Sequence, residues 1–258
     1  MSYALESEHE NARLEKQSKH RNYSIADELS QIKISPRARV LDAGCGSGIL
    51  SRHIAIAFEK LSVEACDISR QRLDQAGHQF AAAGIRFFHA DLKKIPEPPE
   101  SYDHIFCRFV FQHLDQPEAV ADEFFRLLKR GGRVCLIDAD GTLFNYHSAD
   151  PILNDQLKML QAKWQTDLYI GRKLPSILKA SGFTKIDWDI HLMKFKGPDL
   201  TDEIDLTRDR LSFIFPTLVQ LFGSDEIASD FKRRYLEELS RPETTLYYNK
   251  FIVQAEKP

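Results

Sequence analysis

The sequence predicts an α/β protein built on a parallel sheet. Three observations carry that prediction: short strand-like runs alternate with helical-period segments through residues 39–137, a glycine-rich turn joins the first run to the first helix, and 258 residues suit one large core with insertions. Strands linked through helices run parallel, with right-handed crossovers that put helices on both faces of the sheet. Hydrophobic residues make up 43% of the chain, enough to fill a core. A net charge of -3, from 35 Lys+Arg against 38 Asp+Glu, gives no reason to expect a nucleic-acid partner.

Residues 6–32 are charged and lack Pro and Gly, which favours one helix in a leader spanning 1–38; Ser35-Pro36 breaks the pattern. Residues 39–41 open the first strand, which enters the turn Asp42-Ala43-Gly44-Cys45-Gly46-Ser47-Gly48, and Ile49, Leu50, Ile54 and Phe58 follow at helical spacing. After a strand at 62–66, Ser69 caps a helix carrying Leu73, Ala76, Phe80 and Ala83, which Gly84 stops. Strands at 85–89 and 102–107 flank the loop Pro96-Glu97-Pro98-Pro99. Asp115 and Glu118 form a capping box around Pro117 for a helix presenting Val120, Phe124, Leu127 and Leu128, with Gly131-Gly132 at its end. A fifth strand at 133–137 is followed by a helix at 174–180 and strands at 185–193 and 244–254. Mostly helical insertions at 140–170 and 197–243 read as a cap on a single domain, 1–258.

Cys45, Cys66, Cys107 and Cys135 are at least 21 positions apart, which excludes CxxC sites and suits small buried hydrophobes in a reducing compartment. The polar first thirty residues are unlike a signal peptide, and no apolar run reaches the ~20 residues that span a bilayer. A cytoplasmic protein without stable membrane insertion is expected.

A glycine turn between strand and helix brings backbone N–H groups and a positive helix end to the carboxyl edge of the sheet, where nucleoside or anionic ligands fit. Here the pattern is GxGxG: Ile49 replaces the third glycine of the dinucleotide fingerprint, which opposes NAD or FAD, and no GK[ST] ending serves a triphosphate. Asp67, 19 residues past Gly48, ends the second strand and is able to accept from both hydroxyls of a ribose.

Val40-Leu41-Asp42-Ala43-Gly44-Cys45-Gly46-Ser47-Gly48, then Asp67, then Ala90-Asp91-Leu92, resembles the class I S-adenosylmethionine-dependent methyltransferases over residues 37–140. The resemblance implies a Rossmann-like seven-stranded sheet with an antiparallel last strand, S-adenosyl-L-methionine as cofactor and S-adenosyl-L-homocysteine as product. It also implies site roles. The turn through Gly44, Cys45, Gly46 and Gly48 would pack on the methionine moiety, and Asp42 would hold its ammonium through water. Asp67 would take the ribose, Ile68 and Leu92 would flank the adenine, Asp91 would accept from its amine, and Arg108 would offer a backbone carbonyl. The Arg108 guanidinium, repelled by a sulfonium, should pair with an acid such as Asp42 or meet an anionic substrate.

Methyl transfer needs alignment more than acid–base help, so a base is optional. His113 is the candidate, either as base or as a hydrogen-bonded histidine at a helix entry. Phe109, Tyr146 and His147 are candidates for the acceptor pocket, and Tyr3, Arg13 and Gln17 belong to a leader of the type that folds over the cofactor. Asp138 and Asp140 invite a metal reading that Arg108 opposes, so no metal is expected. No Asn/Asp-Pro-Pro-Tyr/Phe, Pro-Cys or paired-glutamate motif points to nucleic-acid or protein acceptors. The most apolar run, 211–222, reads as a lid helix, a dimer contact or a lipid-facing patch. The expectation is methyl transfer to an O, N or C atom of a small molecule, with aromatic or lipophilic acceptors suited, by a monomer or homodimer. The alternatives are a non-catalytic S-adenosylmethionine-binding or regulatory subunit and, third, a nicotinamide oxidoreductase.

Overall fold

Seven strands form one sheet in the order β3-β2-β1-β4-β5-β7-β6: β1 is Arg39–Ala43, β2 Ser62–Asp67, β3 Arg86–His89, β4 Tyr102–Arg108, β5 Leu128–Asp140, β6 Thr184–Phe195 and β7 Leu246–Glu256. The computed structural model describes residues 17, 21–58, 60–143, 145, 147–164 and 166–258. β1 pairs in parallel with β2 and β4, β2 with β3, and β4 with β5, whereas β7 runs antiparallel to β5. The expected mixed sheet is therefore present.

The period of two along each strand divides the core between the faces. Val40 packs on one side with Phe106, Cys135, Ile137 and Ile252, beneath α1 (Ile25–Ser30) and α2 (Ile49–Ala57). Leu41, one residue on, packs on the other with Ile105, Val134 and Val253, beneath α4 (Pro117–Leu127) and α6 (Leu174–Ala180). Between these in sequence, α3 (Arg70–Gln79) is capped by Ser69, whose Oγ accepts from the Arg72 N–H, and Leu73 joins Cys45 and Ala65. All four cysteines are buried and free.

The described chain divides into two compact units. The larger takes in Ser24–Asp140, Asp167–His191 and Asn249–Pro258. The smaller takes in Met1–Tyr23, Gly141–Thr166 and Leu192–Tyr248, with helices α5 (Pro151–Lys163), α7 (Pro198–Phe213), α8 (Phe215–Phe222) and α9 (Asp225–Leu239). Leu211, Ile214, Leu218 and Phe222 are buried there and Phe222 packs on Phe231, so the 211–222 run supplies core instead of an exposed patch. No described helix is long and apolar enough to cross a membrane.

Three local expectations are corrected. The single helix over 6–32 lies mostly outside the described residues, and its described end is a 3-10 turn, Arg21–Tyr23, followed by α1, because Ser24 accepts from the Asp27 N–H and starts a new helix. The capping box at Asp115 and Glu118 does not form: Gln116 is the N-cap, without a side-chain bond, and exposed Asp115 lies 3.6 Å from Lys93 instead. Gly131-Gly132 does not end α4, which stops at Leu127; Gly131, at φ 76°, sits within β5, where the pairing with β4 shifts register.

Helix α1 is fastened to the sheet by charge. Glu28 is fully buried and accepts from Arg108 Nε and Nη2 at 2.7 and 3.0 Å and from Lys250 Nζ at 2.7 Å. Burial pushes its carboxyl up, but the two cations outweigh that and hold it below the usual glutamate range. Its contribution to stability is present above that usual range and is lost as pH falls through the lowered value. Glu28→Gln should cost roughly 3–5 kcal/mol in urea unfolding by removing the buried carboxylate that both cations share, and should flatten the acid limb of the stability profile. A loss under about 1 kcal/mol would show that the pairs are solvent-screened.

Candidate functional site

The carboxyl ends of β1 and β2 are joined through the glycine turn. Gly44 and Cys45 N–H both donate to the Cys66 carbonyl, at 2.8 and 3.0 Å, and Gly48 N–H donates to the Cys45 carbonyl at 2.9 Å. Gly46 N–H donates to Asp67 Oδ2 at 2.8 Å, while Ser69 N–H donates to Asp67 Oδ1 at 2.9 Å. These four N–H groups of the turn are thus used to hold its shape, a change from the expectation that they face a ligand. Gly44 and Gly48 both lie at φ 75°, where a side chain is strained. A Cβ on Gly44 would sit 2.6 Å from Val110 Cγ2, and one on Gly48 3.0 Å from Ala76 and Phe87. At Gly46 it would meet, among the described residues, only Arg72 Nη1, at 3.7 Å.

Asp42 is buried beneath the turn and accepts from Ser51 Oγ at 2.5 Å. Burial pushes its carboxyl up to about 7, against the Ser51 hydrogen bond and the Arg108 charge. Burial likewise raises the Cys45 thiol, which therefore stays protonated and packs as a small apolar group. Ile68, next to Asp67, is 56% exposed, an unusual position for isoleucine. Leu92 is buried in the core, and exposed Asp91 closes its own loop, accepting from the Lys93 N–H at 2.9 Å.

Arg108 does pair with an acid, but the partner is Glu28 and not Asp42, whose carboxylate Ser51 already engages. Its guanidinium also lies 4.4 Å from the centre of the Phe109 ring. Phe109 adopts φ 56°, and its N–H donates to the Ile137 carbonyl at 2.7 Å. His113 ends the 3-10 turn Phe111–His113 and is exposed. That loop rests on Asp138, which accepts from the Ala139 and Gln112 N–H groups and is pushed up to about 7 by burial. Asp140 is held by Arg172 Nε and Nη2 at 2.9 and 2.6 Å. Both acids of the metal reading have protein donors. Among the described residues, no three His, Cys, Asp or Glu are grouped to hold an ion.

The structure brings Asp42, the 44–48 turn and Asp67 together. His147 is exposed and belongs to the other compact unit, while Tyr3, Arg13 and Tyr146 lie outside the described residues. Sequence reasoning missed Glu28, Ser51 and the role of Asp138. Ser51 was within reach of it, since a hydroxyl one turn into the helix after an Asp-ended strand sits over that acid.

A family model described as a methyltransferase domain matches residues 40–132, the segment that builds this edge. That segment, 40–132, is similar to methyltransferase domains. The chain is 30% identical over 151 residues to the malonyl-[acyl-carrier protein] O-methyltransferase of Halalkalibacterium halodurans, covering 56% of this chain and 55% of that one. The chain spans about half the length of such curated relatives, 44% for the ubiquinone biosynthesis O-methyltransferase of Xylella fastidiosa. In fold, the chain resembles the [4+2]-cyclase SpnF, with TM-score 0.61 and 16% identity over 92% of this chain and 80% of that one.

The turn's geometry is testable without a ligand. Gly44→Ala and Gly84→Ala impose the same left-handed strain, at φ 75° and 67°, but only Gly44 has a neighbour within 4 Å. Gly84→Ala should cost about 1 kcal/mol and Gly44→Ala about 1–3 kcal/mol more in thermal unfolding, with Val110→Ala restoring part of the difference. Equal losses would show that the turn yields freely.

Proposed function

We propose that the chain is an S-adenosylmethionine-dependent methyltransferase acting on an oxygen, nitrogen or carbon atom of a small molecule. The observation that carries the reading is the Asp67 carboxylate locked beside the glycine turn within the segment that matches the methyltransferase-domain model. The residues fit the cofactor. Each Asp67 oxygen accepts one backbone N–H, which leaves lone pairs for two ribose hydroxyls. The space beside Gly46 suits a passing ligand chain, and exposed Ile68 offers an apolar surface to adenine. In this reading Asp42, Gly44, Cys45, Gly46 and Gly48 hold the methionine end, with the Arg108 carbonyl; Ile68, Asp91 and Leu92 surround the base.

Bound there, the cofactor supplies an electrophilic methyl group on a sulfonium. The chain's part is alignment and water exclusion. Glu28, shared with Lys250, offsets part of the Arg108 charge, which lowers the repulsion it would exert on a positive sulfur. His113 is the base we assign for acceptors that must lose a proton, with Phe109 beside them. Relatives named for O-methylation and a solved N-methyltransferase of Haemonchus contortus, TM-score 0.58 at 22% identity over 92% of this chain and 52% of that one, leave the acceptor atom open. A second reading, a cofactor-binding protein without methyl transfer, is favoured by one observation: the same fold serves a protein named as a cyclase.

Titration calorimetry with S-adenosylhomocysteine tests the reading. Binding should be clear at micromolar to millimolar ligand, Asp67→Ala should weaken it by about 1–3 kcal/mol, and His113→Gln should leave it unchanged while slowing methyl transfer. No heat and no thermal shift at millimolar ligand would sink the proposal.

Asp42 sets a pH dependence. A ligand ammonium beside it favours the carboxylate, so below about 7 binding must first remove a proton. Affinity should rise with pH and level off above about 7, each unit below costing up to about tenfold. Near pH ~6 the measured heat should also depend on the buffer's ionisation enthalpy, as a proton is released. An affinity that is flat and buffer-independent across this range would refute the assignment of Asp42 to the ammonium.

A further inference from the structure

The smaller unit contains a polar stripe where its core should be apolar. Glu203, Thr207 and Arg210 stand at i, i+4 and i+7 on α7, one face of the helix, and that face is turned inward. Around it lie Tyr23, Tyr235 and Tyr248, near enough to Arg210 to act on it electrostatically, and the rings of Phe195 and Tyr248 pack with centroids 5.0 Å apart, tilted by 58°. The Arg210 Nη2 is 3.6 Å from Glu203, and Tyr23 donates to the same carboxylate at 3.4 Å.

Three buried polar atoms of this cluster have no hydrogen-bond partner among the described residues: Arg210 Nη1, Thr207 Oγ1 and Tyr248 OH. Buried groups are nearly always satisfied, because each one left unmade forfeits its hydration. Arginine has donors only, and a threonine or tyrosine hydroxyl can rotate to donate. Arg210 Nη1 needs an acceptor, and the two hydroxyls can donate to the same one, so a single acceptor oxygen meets all three. Neither another amine nor an apolar group meets that need.

We propose that this cluster is a ligand site for an sp² acceptor oxygen, that of a carbonyl or a carboxylate, carried on a flat apolar body. Arg210, Thr207 and Tyr248 donate to the oxygen, and Phe195 with the tyrosine rings walls the body. The Arg210 side chain keeps 16% exposure, so the cluster reaches the surface at that end. The assignment concerns the smaller unit alone and does not depend on the methyltransferase reading.

Fluorine NMR with three matched probes tests it: 4-fluoroacetophenone for the carbonyl, 4-fluorobenzoate for the carboxylate and 4-fluoroethylbenzene for the body without oxygen. At millimolar concentration at least one oxygen-bearing probe should bind the full chain, and the ethylbenzene should bind at least about tenfold more weakly. Which oxygen probe wins identifies the source of the acceptor. Thr207→Val and Tyr248→Phe remove only the hydroxyls and keep the shape. Each should leave the melting temperature unchanged or raised, since an unmet polar group is deleted, and the double variant should weaken the winning probe about tenfold or more.

Absence of binding by both oxygen probes, equal binding of the ethylbenzene, or an unaltered affinity in the double variant would each overturn the site. So would a fall of several degrees in either single variant, which would mean that the hydroxyls are already satisfied within the protein. S-adenosylhomocysteine titrated against the same samples separates the two ideas. If it fails to bind while a probe binds, the methyltransferase reading falls and this site stands.

Discussion

One carboxylate holds the ligand edge of the sheet in shape. Asp67 sits at the end of β2 and takes a backbone N–H from each side, Gly46 of the first loop and Ser69 of the second. Without it the turn after β1 would keep only its bonds to Cys66 and Cys45, and the start of α3 would lose an anchor. Because the turn's N–H groups are committed to this scaffolding, the proposed cofactor reading rests on what remains among the described residues: spare lone pairs on Asp67, the space beside Gly46 and the exposed Ile68. The glycines follow from the same constraint, since left-handed backbone packed against Val110 and Phe87 has no room for a Cβ.

Beneath the edge, charge is distributed so that no group is buried alone. Glu28 gathers Arg108 and Lys250 and seats α1 on the sheet. Asp42 and Asp138 meet burial differently: hydroxyl or backbone donors bind them and their carboxyls rise to about 7. A buried acid balanced near neutrality can change state when a charged ligand arrives, and one locked in an ion pair cannot.

The smaller unit shows why fold alone leaves function open. Its helices share an aromatic core, Phe222 on Phe231 and Phe231 on Tyr235, and into that core α7 turns Glu203, Thr207 and Arg210. Polar groups in an aromatic surrounding cost stability unless something pairs with them, so their presence argues for selectivity. A fold can serve several chemistries, and side chains of this kind, which the fold does not dictate, set what a unit binds.

The sequence by itself determined the sheet and its ligand edge. Alternation of period-two and helical segments gave the strands and the parallel direction of the first five, and the spacing from the 44–48 turn to Asp67 marked the carboxyl edge, because these are local signals carried by neighbouring residues; the antiparallel last strand came from the family resemblance, and the strand order only from the structure. The capping box at Asp115 was misread for a local reason too: Pro117 fixes the helix start one residue later than the acid. Only the tertiary structure decided the rest. Glu28 meets Arg108 across 80 positions and Lys250 across 222, separations at which no periodicity reports a contact. The stripe on α7 was hidden for the opposite reason. In a charged helix, Glu, Thr and Arg at helical spacing read as the solvent face, and only packing turned that face inward.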